Sequence, residues 1–393
     1  MAMKEAVYLD YAAATPVVPD VHRAMEPYLL TEFANPSSLH SAGVRAEKAV
    51  KASRKTIAKL FACHEDEIIF TSGGTESINT AIRGVVGARP GTQHVVSSNI
   101  EHPATLETLA HLKKRGHDIT LVPCGSNGVV KADDIIRALT PRTTLISLIL
   151  VQNEIGTVQP VADVGRLLIG INRQRRERGQ PQVLLHTDAC QAPVCLEVRM
   201  PTLHADLASF DAAKCYGPKG SGLLIVRRDI ALQPLLYGGG QQANRRSGTE
   251  AVPLIVGAAA AFSYCAKKRP KETLRLKGLS QYLIKRIKKE IPRSIICGMN
   301  AERSPHIVHV AFADVEGESI VLRLDRAGIA ASTGSACSSV SGKPSHIITA
   351  LRIPGRFRPG SLRLSLGYAI TKADVVAAFT TLKRIVLQLQ NNN

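Results

Sequence analysis

Lys214 lies in the stretch Ser209-Phe210-Asp211-Ala212-Ala213-Lys214-Cys215-Tyr216-Gly217-Pro218-Lys219-Gly220-Ser221-Gly222, which is followed by the apolar run Leu223 to Val226. Glycine and proline on one side and a hydrophobic run on the other put this lysine on a turn between buried elements, where most lysines are instead solvated surface charges. A partly desolvated lysine that can reach a carbonyl is a candidate for imine chemistry. Upstream, His186-Thr187-Asp188-Ala189-Cys190-Gln191-Ala192 closes the apolar run Val183-Leu184-Leu185. That places an acid at the C-terminal end of a predicted strand, where open α/β sheets bind ligands. A lysine for an aldehyde and an acid for a pyridinium nitrogen are the pair that pyridoxal 5'-phosphate (PLP) requires of a protein.

A third segment, Thr71-Ser72-Gly73-Gly74-Thr75-Glu76-Ser77, follows the predicted strand Ile68-Ile69-Phe70 and precedes the periodic apolar residues Ile78, Ala81, Ile82 and Val85. Glycines, hydroxyls and the free amides of a helix start make a phosphate cradle, because the helix dipole and unpaired N–H groups favour an anion. The same letters also satisfy a helix cap with a capping box, so from these residues alone both readings stand.

The elements that would carry these residues can be read along the chain. Strand patterns at Ile68–Phe70, His94–Ser97, Ile119–Pro123, Thr144–Leu150, Val183–His186, Leu207–Phe210 and Gly222–Val226 alternate with helical periodicity, as in βα units around a mostly parallel sheet. The fold class expected is therefore α/β, with a large domain over residues 16–254 built on a mostly parallel seven-stranded sheet. A smaller α+β domain is expected from residues 1–15 and 255–393, with strands at His306–Phe312 and Ser361–Ser365 and helices at 317–327 and 372–390. The 393 residues are 45% hydrophobic, enough for large cores. No apolar run approaches the roughly 20 residues that span a bilayer, and the start of the chain lacks a signal core, so a cytoplasmic protein without a membrane partner is expected. Eight cysteines without a repeated Cys-x-x-Cys spacing indicate neither a disulfide framework nor a metal site. The formal charge of +18 invites a nucleic acid or an acidic protein as partner, but Arg173–Arg178 and Lys267–Lys289 read as solvated faces of amphipathic helices. With 4% aromatic residues and no Trp, direct nucleic-acid binding is not favoured as the primary role.

Taken in order, Tyr8-Leu9-Asp10-Tyr11-Ala12-Ala13-Ala14-Thr15-Pro16, Asn35-Pro36-Ser37-Ser38, the 71–77 loop, Glu101-His102, Asn153-Glu154-Ile155-Gly156, His186-Thr187-Asp188, Tyr216-Gly217-Pro218-Lys219-Gly220, Gly238-Gly239-Gly240, Arg246-Ser247-Gly248-Thr249, Ser335-Ala336-Cys337 and Ser361-Leu362-Arg363-Leu364-Ser365 resemble the PLP-dependent cysteine desulfurases of the class V aminotransferase superfamily over nearly the whole chain. The resemblance implies PLP fold type I and a homodimer with active sites near the subunit interface. It implies that His102 stacks on the cofactor ring and moves protons, that Asn153 sits near the cofactor's O3′ and the substrate, and that Asp188 keeps the pyridine nitrogen protonated. Gln191 would bond O3′; Gly74 and Thr75, with Thr249 from the partner subunit, would hold phosphate; Arg363, assisted by Asn35, would clamp the substrate carboxylate. Cys337 would be the nucleophile. Its surroundings, Ser332-Thr333-Gly334-Ser335-Ala336-Cys337-Ser338-Ser339-Val340-Ser341-Gly342, are small, polar and glycine-rich, as suits an exposed thiol that visits a substrate and then a sulfur acceptor, whereas Cys190 and Cys215 stand in apolar or turn contexts. The reaction implied is removal of sulfur from L-cysteine, giving L-alanine and a Cys337 persulfide that passes to a sulfur-acceptor protein in iron-sulfur cluster assembly or nucleic-acid thiolation.

The chain departs from the family where Asp211 and Ala213 replace a serine and a histidine that contact phosphate; two donors are lost and an acid appears, with Arg245 as one cation that could offset it. Alternative readings are another class V PLP enzyme, such as an aminotransferase or selenocysteine lyase, which would not need Cys337, or a non-catalytic assembly protein descended from desulfurases.

Overall fold

The computed structural model describes residues 7–334 and 345–391. Among these described residues twelve strands occur in chain order: β1 (Val7–Tyr8), β2 (Ile68–Thr71), β3 (His94–Ser98), β4 (Asp118–Val122), β5 (Thr143–Ile149), β6 (Leu184–Asp188), β7 (Leu207–Asp211), β8 (Gly222–Val226), β9 (Ser294–Ile296), β10 (Ile307–Phe312), β11 (Ile329–Ala330) and β12 (Gly360–Ser365). Seven of them form one sheet in the order β2-β8-β7-β6-β5-β3-β4. Its strands are parallel except β8, which runs antiparallel to both neighbours. The α/β architecture with a mostly parallel seven-stranded sheet is thus observed. Buried runs such as Leu145-Ile146-Ser147-Leu148-Ile149 are apolar on both faces because helices cover both sides.

Parallel strands point their C-terminal ends the same way, so β3, β5, β6 and β7 deliver their following loops to one edge. The register adds β2 to that edge, since Thr71 and Asp211 both pair with Gly222 of β8. Gly222 is required there: a Cβ would stand 2.6 Å from the Cα of Gly73 and 2.7 Å from the carbonyl of Phe210. Its bare backbone lets the 71–74 turn pack down beside the end of β7.

The smaller sheets comprise the antiparallel set β12-β10-β9, of which β9 had no counterpart in the predicted strands, and the parallel pair β1-β11. A single helix, Val252–Glu290, carries the basic stretch Lys267–Lys289. Its 39 residues give a rod of about 58 Å. Pro270 lies within it, on the exposed flank. The first half buries Ala258, Ala261, Phe262 and Cys265, and the ring of Phe262 lies 5.4 Å from that of Phe61. The second half buries Leu276, Leu279, Leu283 and Ile287. Lysines 267, 268, 271, 277, 285, 288 and 289 face solvent, as expected for an amphipathic helix. Arg175 corrects the same reading for 173–178. It is 6% exposed, and its guanidinium donates to the carbonyls of Thr140, Pro141, Thr143 and Pro181 at 2.7–3.0 Å.

Candidate active site

A cavity of about 240 Å³ opens at the common edge of the parallel strands. Among its lining residues are Gly74, Thr75, His102, Asn153, Asp188, Gln191, Lys214 and Arg363, eight residues singled out from the sequence. Each arrives for a local reason. Asp188 is the last residue of β6, and its carboxylate accepts the N–H of Cys190 at 3.0 Å. Lys214 closes a 3-10 turn, Ala212–Lys214, that immediately follows β7. His102 caps the helix Pro103–Lys114, its Nδ1 accepting the N–H of Ala104 at 3.0 Å. That bond leaves any proton of the neutral ring on Nε2. Desolvation lowers the pKa of His102, with the charges of Lys214 and His346 adding to the effect and Asp188 opposing it, so the neutral ring is favoured.

The N-terminal segment forms a strap over one wall, a role that local sequence patterns do not announce. Lys214 Nζ donates to the carbonyl of Ala13, and Gln191 Nε2 to that of Ala12 at 2.8 Å. Thr15 is tied to Ala213 and Tyr216, while Lys219, the other lysine of this turn, donates to the carbonyl of Thr15 at 2.7 Å. Gln191 is also oriented by His306, whose Nε2 lies 3.3 Å from Oε1. His306 is thus a supporting residue that sequence reasoning missed; a lone histidine before a strand carries no signal.

Arg363 is 3% exposed, with one terminal nitrogen 2.8 Å from the carboxylate of Asp10 and the other 3.0 Å from the carbonyls of both Asn153 and Gly334. Its Nε has no partner among the described residues. Two further acids are buried nearby, Glu154 in the lining and Glu101 next to His102 in the chain. Glu101 is fully buried, and desolvation, with a smaller push from the Asp188 charge, raises its pKa to about 8. Glu154 is raised too, by burial, although it accepts the Ser345 hydroxyl at 2.7 Å.

The cradle was built differently from expectation. The helix Gly74–Gly87 begins at the cavity, but the Gly74 N–H is taken by Asp211 Oδ2 at 3.2 Å, and Asp211 Oδ1 accepts the Ala213 N–H at 2.9 Å. Arg245 does not pair with Asp211; it reaches the carbonyl of Asp66. Thr75 remains in the lining beside it. Asn35 and Thr249 lie exposed outside this cavity, with Asn35 Oδ1 accepting the Ser37 N–H at 2.9 Å. Cys337 lies outside the described residues. Cys190 borders the cavity and Cys215 packs behind it; desolvation, reinforced at Cys190 by Asp188 and Asp211, raises both pKa values well above the ordinary thiol range and keeps them protonated.

Residues 7–377 match the model of the family described as Aminotransferase class-V. The chain belongs to that family. It is 41% identical over 389 residues to the cysteine desulfurase IscS of Dictyoglomus turgidum, covering 99% of this chain and 96% of that one. A solved NifS-like protein superposes with a TM-score of 0.89 at 30% identity, covering 98% and 100% of the two chains. SspA in complex with cysteine gives a TM-score of 0.77 at 32% identity, covering 92% and 98%. The chain is thus a cysteine desulfurase of the class-V family, and that family is PLP-dependent. The cavity fits the cofactor at its ring and aldehyde ends, where an acid, a histidine, an amide and a lysine converge. At its phosphate end a carboxylate occupies the cradle.

Proposed function

We propose that this protein transfers the sulfur of L-cysteine to Cys337 and releases L-alanine, the persulfide then passing to a sulfur-acceptor protein. The observation that carries this reading is the convergence of Lys214, Asp188, His102 and Arg363 in one cavity. PLP, when bound there, supplies an electron sink for the carbanion chemistry at the substrate's Cα. Asp188 would hold the proton on the pyridine nitrogen, His102 would cover the ring face, Gln191 and Asn153 would bond the O3′ side, and Gly74 and Thr75, with Thr249 of a second copy, would hold the phosphate. Arg363 binds the substrate carboxylate, assisted by Asn35 of the segment that meets the other copy. Lys214 Nζ takes the Cα proton and later returns one. Cys337 Sγ attacks the substrate sulfur; the new S–S bond forms as the Cβ–S bond breaks, and Cβ collects a proton, so that cysteine and thiol become alanine and persulfide without an external oxidant.

Cys337 is assigned by the chemistry of its glycine-rich segment and by the poor credentials of Cys190 and Cys215 as thiolates. A homodimer is part of the proposal: Phe33, Leu39 and Tyr237 are 72–98% exposed on the segments that carry Asn35 and lead to Thr249, an apolar surface that a second copy would cover. Among the described residues no helix is long and apolar enough to cross a membrane, and the seven described cysteines are free, which agrees with a reducing, cytoplasmic setting. The test is Cys337→Ser. The variant should bind PLP with the colour of the parent protein and still change its spectrum with L-cysteine, while sulfide release under reducing conditions falls at least a hundredfold, since a hydroxyl does not accept sulfur. Undiminished sulfide release would assign the nucleophile elsewhere.

A further inference from the structure

The phosphate cradle of this chain contains its own anion. A helix start favours negative charge because its first amides lack partners and its dipole is positive there. In this protein the amide of Gly74, the first residue of a 14-residue helix, is bonded to the Asp211 carboxylate, which reaches across from the end of β7. The second carboxylate oxygen is held by the Ala213 N–H, so the group is fixed by two backbone amides from different elements. The approach is close by construction: a Cβ on Gly73 or Gly74 would stand 3.5 Å from Asp211 Oδ2. Asp211 and Gly74 both line the cavity. The nearby cation Arg246 is already committed to Glu76 of the same helix at 2.8 Å.

We infer that Asp211 is the resident ligand of the cradle and competes with the cofactor's phosphate for the helix start. The inference rests on the proposed PLP site and concerns how strongly the phosphate, as opposed to the ring and aldehyde, contributes to cofactor affinity. A phosphate cannot take the Gly74 amide while the carboxylate holds it, and two anions about 5 Å apart at an effective dielectric near 20 would cost roughly a hundredfold in affinity. Rotation of the carboxylate away from the helix lowers this penalty but forfeits its two amide bonds. Asp211 therefore narrows the preference of the site for PLP over pyridoxal, which is the same molecule without the phosphate.

The experiment titrates cofactor-free wild type, Asp211→Asn and Asp211→Ser with PLP and, separately, with pyridoxal, following binding by absorbance. Asparagine keeps the shape and one acceptor; serine removes the charge with a shorter side chain. Both variants should bind PLP between about tenfold and a hundredfold more tightly than wild type and pyridoxal within twofold of wild type, so that the PLP-to-pyridoxal ratio widens through the phosphate alone. Equal tightening for both ligands, or a PLP affinity in both variants no better than wild type, overturns the competition. Failure of wild type and both variants to bind either ligand would instead remove the PLP site itself, an outcome separated from the others by borohydride trapping at Lys214.

Discussion

Replacing Arg363 tests stability and substrate recognition at once. Its side chain is 4% exposed and that of its partner Asp10 is 21% exposed. Truncation in Arg363→Ala strips donors from the Asp10 carboxylate and from the carbonyls of Asn153 and Gly334. Breaking a buried ion pair costs about 3–5 kcal/mol, and because Asp10 keeps some access to water the loss belongs at the lower end, about 3 kcal/mol. Arg363→Lys keeps the charge but not the planar fork, so it should lose about half as much. A substrate carboxylate forms charge-assisted hydrogen bonds worth about 1.5–3 kcal/mol, and losing about half of that predicts a rise in KM for L-cysteine of about fourfold to tenfold in the lysine variant. The assay pairs urea unfolding of the cofactor-free protein with sulfide release as a function of cysteine concentration. A KM within twofold of wild type in Arg363→Lys would show that Arg363 serves only the ion pair with Asp10 and is not the carboxylate clamp. Unchanged unfolding of Arg363→Ala would refute the packing argument.

Lys214→Ala should lose the borohydride-trappable lysine adduct and essentially all turnover, because Lys219 is engaged with Thr15; a retained adduct, located by peptide mass, would show that another lysine serves. Glu101→Gln is predicted to change the pH dependence of stability. The folded protein keeps the Glu101 proton up to about pH 8, whereas the unfolded chain releases it in the ordinary carboxylate range, so this group stabilises the fold at low pH and that contribution is lost as pH rises towards 8. The slope is up to about 1.4 kcal/mol per pH unit, and the variant should lack it. Parallel wild-type and Glu101→Gln stabilities between pH 5.5 and 7.5, measured by urea unfolding, would refute the burial argument.

Local chemistry in the sequence singled out residues that the fold brings to one cavity. Asp188 closes an apolar run, Lys214 sits on a turn rich in glycine and proline, and the 71–77 loop joins a strand to an amphipathic helix, each within a window of a dozen residues. Parallel strand order then made their meeting almost unavoidable, since every βα loop at the C-terminal edge empties into the same space. What windows cannot contain is partnership across the chain. Asp10 meets Arg363 at a separation of 353 residues, and Asp211 reaches Gly74 across 137. Arg175 looked like one more charge in a solvated basic run, yet four carbonyls from two turns enclose it. Val252–Glu290 runs as one helix across Pro270, because the packing of Leu276, Leu279 and Leu283 against the rest of the molecule outweighs the one backbone bond that Pro270 forgoes. Residue type fixes which chemistry a side chain can perform, but whether a carboxylate meets water, an arginine or a helix start is decided by tertiary contacts, because burial and the charges within a few ångströms determine its energy.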